Sequence, residues 1–281
     1  MENKDAWEWE ISSGTKWFQW RLSEIWHYKD LLLRLVRRDL IANYKQTLLG
    51  PFWVFLQPVL TTLVYYLIFG RIVKVSTSGI PPILFYLSGI LFWGYFSDCL
   101  NGTMYTFLQN ANVFSKVYFP RLIVPLSSVI SHTVRTVIQL LLFIFIYQYY
   151  FSQGGITGSY YILLTPVLLL ITAGFGLGAG LIVSVLTARY RDLDYTLQFL
   201  LRLFMFATPV VYPASIVPEQ YQILFWLNPL TAVIETFRAG FFSNEPVYIL
   251  HLLFSCVEVL LLILVGITLF KKQELKVMDV I

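Results

Sequence analysis

The chain has 281 residues, of which 57% are hydrophobic, 17% aromatic and 13% charged, whereas an ordinary soluble domain is about 45 to 50% apolar and about 25% charged. Residues 51 to 270 hold only 16 charged side chains in 220 positions, and the two ends hold the other 20 in 61. This distribution excludes a water-soluble globule and predicts a polytopic membrane protein with its middle in lipid. The formal net charge of +4 comes with no basic stripe among polar loops, so no nucleic-acid partner is indicated.

Residues 1–50 form a polar N-terminal segment without the short apolar core of a cleaved signal peptide, so it is expected to stay on the cytoplasmic side. Within it, Phe18, Leu22, Ile25, Tyr28, Leu32, Val36 and Leu40 recur every three or four positions, with Arg21, Glu24, His27, Asp30, Arg34 and Arg37 elsewhere on the wheel. That spacing predicts an amphipathic helix, broken near Asp30, which is suited to cap a second helix. Trp17, Trp20 and Trp26 favour the lipid headgroup level. Such a helix serves either as a surface anchor or as a collar gripping a cytoplasmic partner.

The apolar middle, 51–270, divides into predicted helical spans at about 52–73, 83–107, 122–150, 161–186, 194–211 and 247–270, followed by a cytoplasmic tail, 271–281. The predicted fold is an all-α integral membrane protein, since spanning strands would show segments of about ten residues in strict alternation. Fifteen of the 20 Lys and Arg fall in the N-terminal segment, loops 2-3 and 4-5 and the tail, against Arg71, Lys74 and Arg238 on the opposite side. Basic residues are retained in the cytoplasm, so both termini are expected inside, which agrees with six crossings. Between 209 and 246 the chain stays apolar but contains Pro209, Pro213, Pro218, Pro229 and Pro246. Proline bars one continuous helix, and re-entrant or surface-lying helices over 212–246, gating a pathway on the outer side, are the expectation.

No GxxxxGK[ST] string is present, so no ATP site of that kind is encoded. Gly174, Gly176, Gly178 and Gly180 lie inside an apolar span, where they read as two overlapping close-packing faces, Gly174 with Gly178 and Gly176 with Gly180. His27, His132 and His251 show no metal-ligand spacing, and Cys99 and Cys256 sit in apolar segments, so neither a metal nor a cofactor is expected in this chain. Asp192 and Asp194 form a DxD, a weak chelate signal beside Arg189 and Arg191. Asp98, Arg135, Arg202, Glu235, Arg238 and Glu258 are ionisable groups at membrane depth, which by default mark a bundle interior or a wet path. Glu235 and Arg238 are three apart and share a helix face, so they are expected to pair. The first two spans are crowded with aromatic residues, among which Tyr65, Tyr66, Trp93, Tyr95 and Phe96 are candidates to line a path for a sugar polymer. Aromatic faces stack on the CH faces of sugar rings without fixing one orientation.

Five strings then appear in order: YKQTLLGPFW (Tyr44 to Trp53) followed by Gln57 and Pro58; NANVFSKVYFPR (Asn110 to Arg121) with Pro125; RYRDL (Arg189 to Leu193); TPVVYP (Thr208 to Pro213); and NPL (Asn228 to Leu230) followed by Glu235 and Arg238. Together they resemble permease subunits of type 2 ABC exporters, and more narrowly are similar to those for O-antigen, capsule or teichoic-acid polysaccharides. The resemblance covers about residues 17–270. It implies a bacterial cytoplasmic-membrane transport subunit rather than an enzyme, working as a homodimer around a central channel. It further implies separate ATPase subunits that hold ATP and Mg, and a lipid-linked polysaccharide as cargo. By the same analogy the loop from Val113 to Arg121 carries a coupling helix, with Phe114, Lys116, Tyr118 and Arg121 as ATPase contacts and Arg191 and Asp192 as a second touch point. An exporter of a drug or small lipid would share the fold, but the aromatic load and the large outer region favour a glycan. A membrane glycosyltransferase using Asp192 and Asp194 is the alternative from another class.

Overall fold

The computed structural model describes residues 26–42, 48–114, 119–154, 156–190, 192–242 and 249–278, and among these the chain is helical with no strand. Helix α1 (Lys29–Ala42) follows a turn at Tyr28, which is where the sequence predicts the amphipathic segment to break. Its half-buried residues Tyr28, Leu31, Leu32 and Leu35 pack on a small core, while Arg34 and Arg37 stay exposed. The predicted residues 17–25 of this amphipathic stretch lie outside the described residues.

Among the described residues, five helical segments are long and apolar enough to cross a membrane: Gly50–Ile72, Pro82–Met104, Ile123–Ser152, Tyr160–Arg189 and Ile249–Glu274. The first contains α2 (Trp53–Tyr65), entered through Gly50 at φ +50 and Pro51 and continued as a π-helix over Tyr66–Ile72. Helix α3 (Pro82–Met104) starts on Pro81 and Pro82, where a missing N–H costs nothing. It is followed by α4 (Thr106–Phe114), α5 (Ile123–Ser152), a short 3-10 turn (Tyr160–Leu164) and α6 (Thr165–Arg189). The fifth span expected at 194–211 is shorter than a crossing. Helix α7 (Leu193–Phe206) has 14 residues, about 21 Å against a hydrocarbon core of ~30 Å. It stops at Ala207 because Pro209 disfavours helical geometry at Thr208.

The proline-rich region beyond α7 contains two short helices, α8 (Glu219–Trp226) and α9 (Pro229–Phe242). Asn228 starts α9 by accepting the Leu230 N–H on its side-chain oxygen at 3.1 Å, ahead of Pro229 in the first turn. Every residue of α9 is buried, so it is an internal element of the bundle rather than a surface-lying one. Helix α10 (Ile249–Met278) closes the chain.

Helix α6 is the centre of the packing, between α3 on one side and α10 on the other. A Cβ on Gly176 would lie 2.6 Å from the Cys99 Cβ, and one on Gly180 would lie 2.6 Å from the Thr103 Cβ, both on α3. On the other face, a Cβ on Gly174 would lie 2.8 Å from Val259, and one on Gly178 would lie 3.0 Å from the Ile263 nitrogen on α10. Gly266 of α10 returns the contact, since its Cβ would be 2.8 Å from the Gly178 carbonyl oxygen. The two glycine pairs therefore face two different helices, as their spacing predicts, and bring three backbones together. Around this contact lies an aromatic core in which Phe143 of α5 meets Phe237 and Phe241 of α9 at ring separations of 5.0 and 5.1 Å. Replacing Gly176 by Leu should lower the apparent melting temperature of the detergent-purified protein, through an overpacking cost of ~1 to 3 kcal/mol. Gly94→Ala, at a position where an added Cβ meets nothing within 4 Å, should hold or raise it by up to ~1 kcal/mol in helix propensity. Equal losses in both variants would contradict the close-packing account.

Candidate functional site

Two sets of sequence-predicted residues sit at opposite ends of the bundle. At the end that carries α1, Phe114 and Arg121 are inside the protein, only 8% and 4% exposed. The Arg121 backbone N–H donates to the Glu274 Oε1 at 3.3 Å, and its Nη1 donates to the Glu274 carbonyl oxygen at 3.3 Å. Its guanidinium lies 5.2 Å from the centroid of the Phe114 ring. Phe107 stacks on Phe270 at 4.5 Å and meets Phe114 at 6.3 Å, so the end of α4, the start of α5 and the last turns of α10 share one small core. Phe114 and Arg121, expected as surface contacts, are internal braces. Lys116, Tyr118 and Arg191 lie outside the described residues.

Asp192 is exposed at the N-cap of α7, with no side-chain capping bond. Asp194 instead accepts a hydrogen bond from the Tyr105 hydroxyl. The two carboxylates are thus separated in use, and among the described residues no cluster suited to a metal ion is found.

At the far end, the expected pair is present: Arg238 Nη1 donates to Glu235 Oε1 at 3.2 Å, with both side chains buried. Arg238 also donates from Nε to Ser88 Oγ at 3.2 Å and from Nη2 to the Phe85 and Val210 carbonyl oxygens at 3.1 and 3.2 Å. Its guanidinium covers the Phe85 ring at 3.7 Å, and Glu235 Oε1 accepts the Ala214 N–H at 3.2 Å. One arginine therefore ties α9 to α3 and to the segment after α7.

The aromatic candidates divide between core and rim. Tyr95 and Phe96 are buried: the Tyr95 hydroxyl shares a 2.6 Å hydrogen bond with Thr133, and Phe96 stacks on Phe175 at 4.6 Å. They line no open surface in this arrangement. Trp93 is half-buried against Phe204 at 5.9 Å, and the Tyr65 hydroxyl donates to the Met205 sulfur at 3.3 Å, so both edge the junction of α2, α3 and α7. Tyr66 opens the π-helix, where its hydroxyl accepts from Arg71 Nε at 2.7 Å, five residues on.

Between these edges, α3 presents a polar stripe that aromatic counting misses. Gly94, Asp98, Asn101 and Tyr105 are partly exposed and spaced by four, three and four, which places them on one helix face. Arg135 of α5 donates from Nη2 to Gln57 of α2 at 2.9 Å and from Nη1 to Asp98 at 3.4 Å. Gln198 of α7 donates to Asn101 at 2.7 Å and to the Tyr105 hydroxyl at 3.3 Å. Helix α2 lies beside α5 at Gln57 and beside α7 at Tyr65, at the two ends of this face. Arg135 lies one helical turn beyond Ser131, where α1 docks through the Val36 carbonyl at 3.4 Å. The Asp98 end of the stripe therefore lies one turn above the point where α1 docks.

Removing one partner of a buried ion pair leaves an uncompensated charge. Arg238→Met should cost ~3 to 5 kcal/mol, and the double variant Glu235→Gln with Arg238→Met distinctly less. Thermal unfolding of the purified protein checks the order; a double variant as unstable as the single one would contradict the pairing account.

Comparison with known proteins follows the same lines. A family model described as ABC-2 type transporter matches residues 30–242. The chain is 31% identical over 224 residues to the O-antigen export system permease protein RfbA of Myxococcus xanthus, covering 79% of this chain and 84% of that protein. It is 27% identical over 259 residues to the protein of the same name from Klebsiella pneumoniae, covering 90% and 95%. Against the polysialic acid transport protein KpsM of Escherichia coli it is 25% identical over 247 residues, covering 85% and 92%. The chain belongs to the ABC-2 type transporter membrane family.

Proposed function

We propose that this protein is the permease subunit of an ATP-driven exporter that carries a lipid-linked polysaccharide across a bacterial cytoplasmic membrane. The observation that carries the reading is near full-length similarity to O-antigen export permeases, joined to a polar groove on a bundle otherwise rich in buried aromatic residues. ATP and Mg are held by a separate ATPase subunit, seated beneath the α1 end, and both termini face the cytoplasm. Two copies of the chain form the path. Helix α7 buries no residue within one protomer, and α2 with the π-helix after it leaves Leu60, Leu63, Val64 and Leu67 exposed, which supports a second copy meeting these helices.

In this reading the loop holding Lys116 and Tyr118 takes the push of the ATPase. Arg121 and Phe114 pass it to α5 and, through Glu274, to α10. The permease, co-expressed with its ATPase and reconstituted in lipid, should show ATP turnover stimulated by the lipid-linked glycan. Arg121→Ala should keep the ATPase bound but reduce that stimulation about tenfold, the equivalent of losing ~1.4 kcal/mol of charge-assisted contact. Lys116→Glu with Tyr118→Ala should instead weaken co-purification itself. A chain that moves glycan with no ATPase present would overturn the reading.

A further inference from the structure

The polar stripe on α3 carries a more specific assignment, which rests on the export reading. We propose that the groove over Gly94, Asp98 and Asn101, with Gln57, Arg135 and Gln198 on its walls, is a binding station for the hydroxyl groups of an uncharged polysaccharide. Four helices supply it, α2, α3, α5 and α7, joined here by hydrogen bonds from Arg135 to Gln57 and Asp98 and from Gln198 to Asn101.

Mutual neutralisation accounts for part of this cluster and leaves part unexplained. The Asp98 to Arg135 contact of 3.4 Å is at the loose limit of hydrogen bonding, His132 is no closer than 4.0 Å, Asp98 keeps 42% of its side chain exposed, and among the described residues the buried Arg135 Nε has no hydrogen-bond partner. A pair built only to cancel charge in an apolar bundle would be shut away, as Glu235 and Arg238 are. The groove is also roomy, since nothing lies within 4 Å of a Cβ added to Gly94.

The arrangement of charge selects the ligand. The Asp98 side chain is 42% exposed and that of Arg135 21%, so the carboxylate is the more accessible charge and disfavours a phosphate or an acidic sugar. Among the described residues the charged groups on the groove and its α7 wall are Asp98 and Asp194 against Arg135 and Arg202, with no cationic excess for a polyanion. Gln57, Asn101 and Gln198 each offer both donors and acceptors, which suits vicinal hydroxyls presented in changing register. Trp93 at the edge offers an apolar face to the ring. Asn101 lies level with the docking point of α1 and Asp98 one turn above it, the level at which sugars attached to a lipid in the inner leaflet would arrive.

The test uses the permease with its ATPase in lipid nanodiscs and measures ATP turnover against the concentration of a lipid-linked polymannose. Asp98→Asn and Asn101→Ala should each raise the half-saturating concentration about tenfold, the loss of one or two hydrogen bonds to sugar. Gly94→Leu, which fills the groove from a position that tolerates a side chain, should raise it at least as far, with co-purification of the ATPase reporting that each variant is folded. Soluble mannose oligomers should compete, and inorganic pyrophosphate should not. Variants that saturate like the wild type would overturn the station, as would competition by pyrophosphate alone or equal stimulation by lipid-linked polysialic acid. A wild-type pair stimulated by no lipid-linked polysaccharide would remove the export reading and the station with it.

Discussion

The architecture depends on how closely α6 approaches its two neighbours. Four glycines on two faces let the backbones of α3 and α10 come within van der Waals reach of α6 on both sides. In lipid there is no hydrophobic drive to push helices together, so packing of this closeness is the main source of cohesion available. The three helices behave as one block. The aromatic residues of α9 and α5 then fill its flank, and every functional feature is attached to it from outside or tied to it at one end.

Two arginines fasten the ends of the block in different ways. Arg238 gathers two backbone carbonyls, a hydroxyl and a carboxylate, so the segment after α7 cannot leave α3 without stranding several donors. Arg121 joins the start of α5 to the last turns of α10. By contrast α2 and α7 are held mainly by rim contacts such as Tyr65 with Met205 and Gln198 with Asn101. Helices with few buried contacts have the lowest local stability, so α2 and α7 are the least firmly held helices around the block.

Much of this was legible in the sequence. Glycine spacing gave both packing faces, and the spacing of Glu235 and Arg238 gave their pairing, because each signal is local to one helix. The inward turn of Arg121 was not legible, since its partner Glu274 is 153 residues away. Tyr95 and Phe96 follow the same rule: aromatic content marks a sugar path no better than it marks a core until the neighbours Thr133 and Phe175 are known. The stripe from Gly94 to Tyr105 was present as a helical period of polar residues, and it was hidden by attention to the larger side chains around it. The shortness of α7 follows from Pro209, which hydropathy alone does not weigh.

The unequal lengths of the helices set a mechanical geometry. Helix α3 has 23 residues, about 35 Å, while α5 and α10 have 30 each, about 45 Å. With a hydrocarbon core of ~30 Å, α5 and α10 outrun the bilayer by about 15 Å. The bond between Arg121 and Glu274 joins the start of α5 to the last turns of α10, and the glycines of α6 hold α10 again about three turns away, at Val259 and Ile263, so α10 is fastened at two separated points along its length.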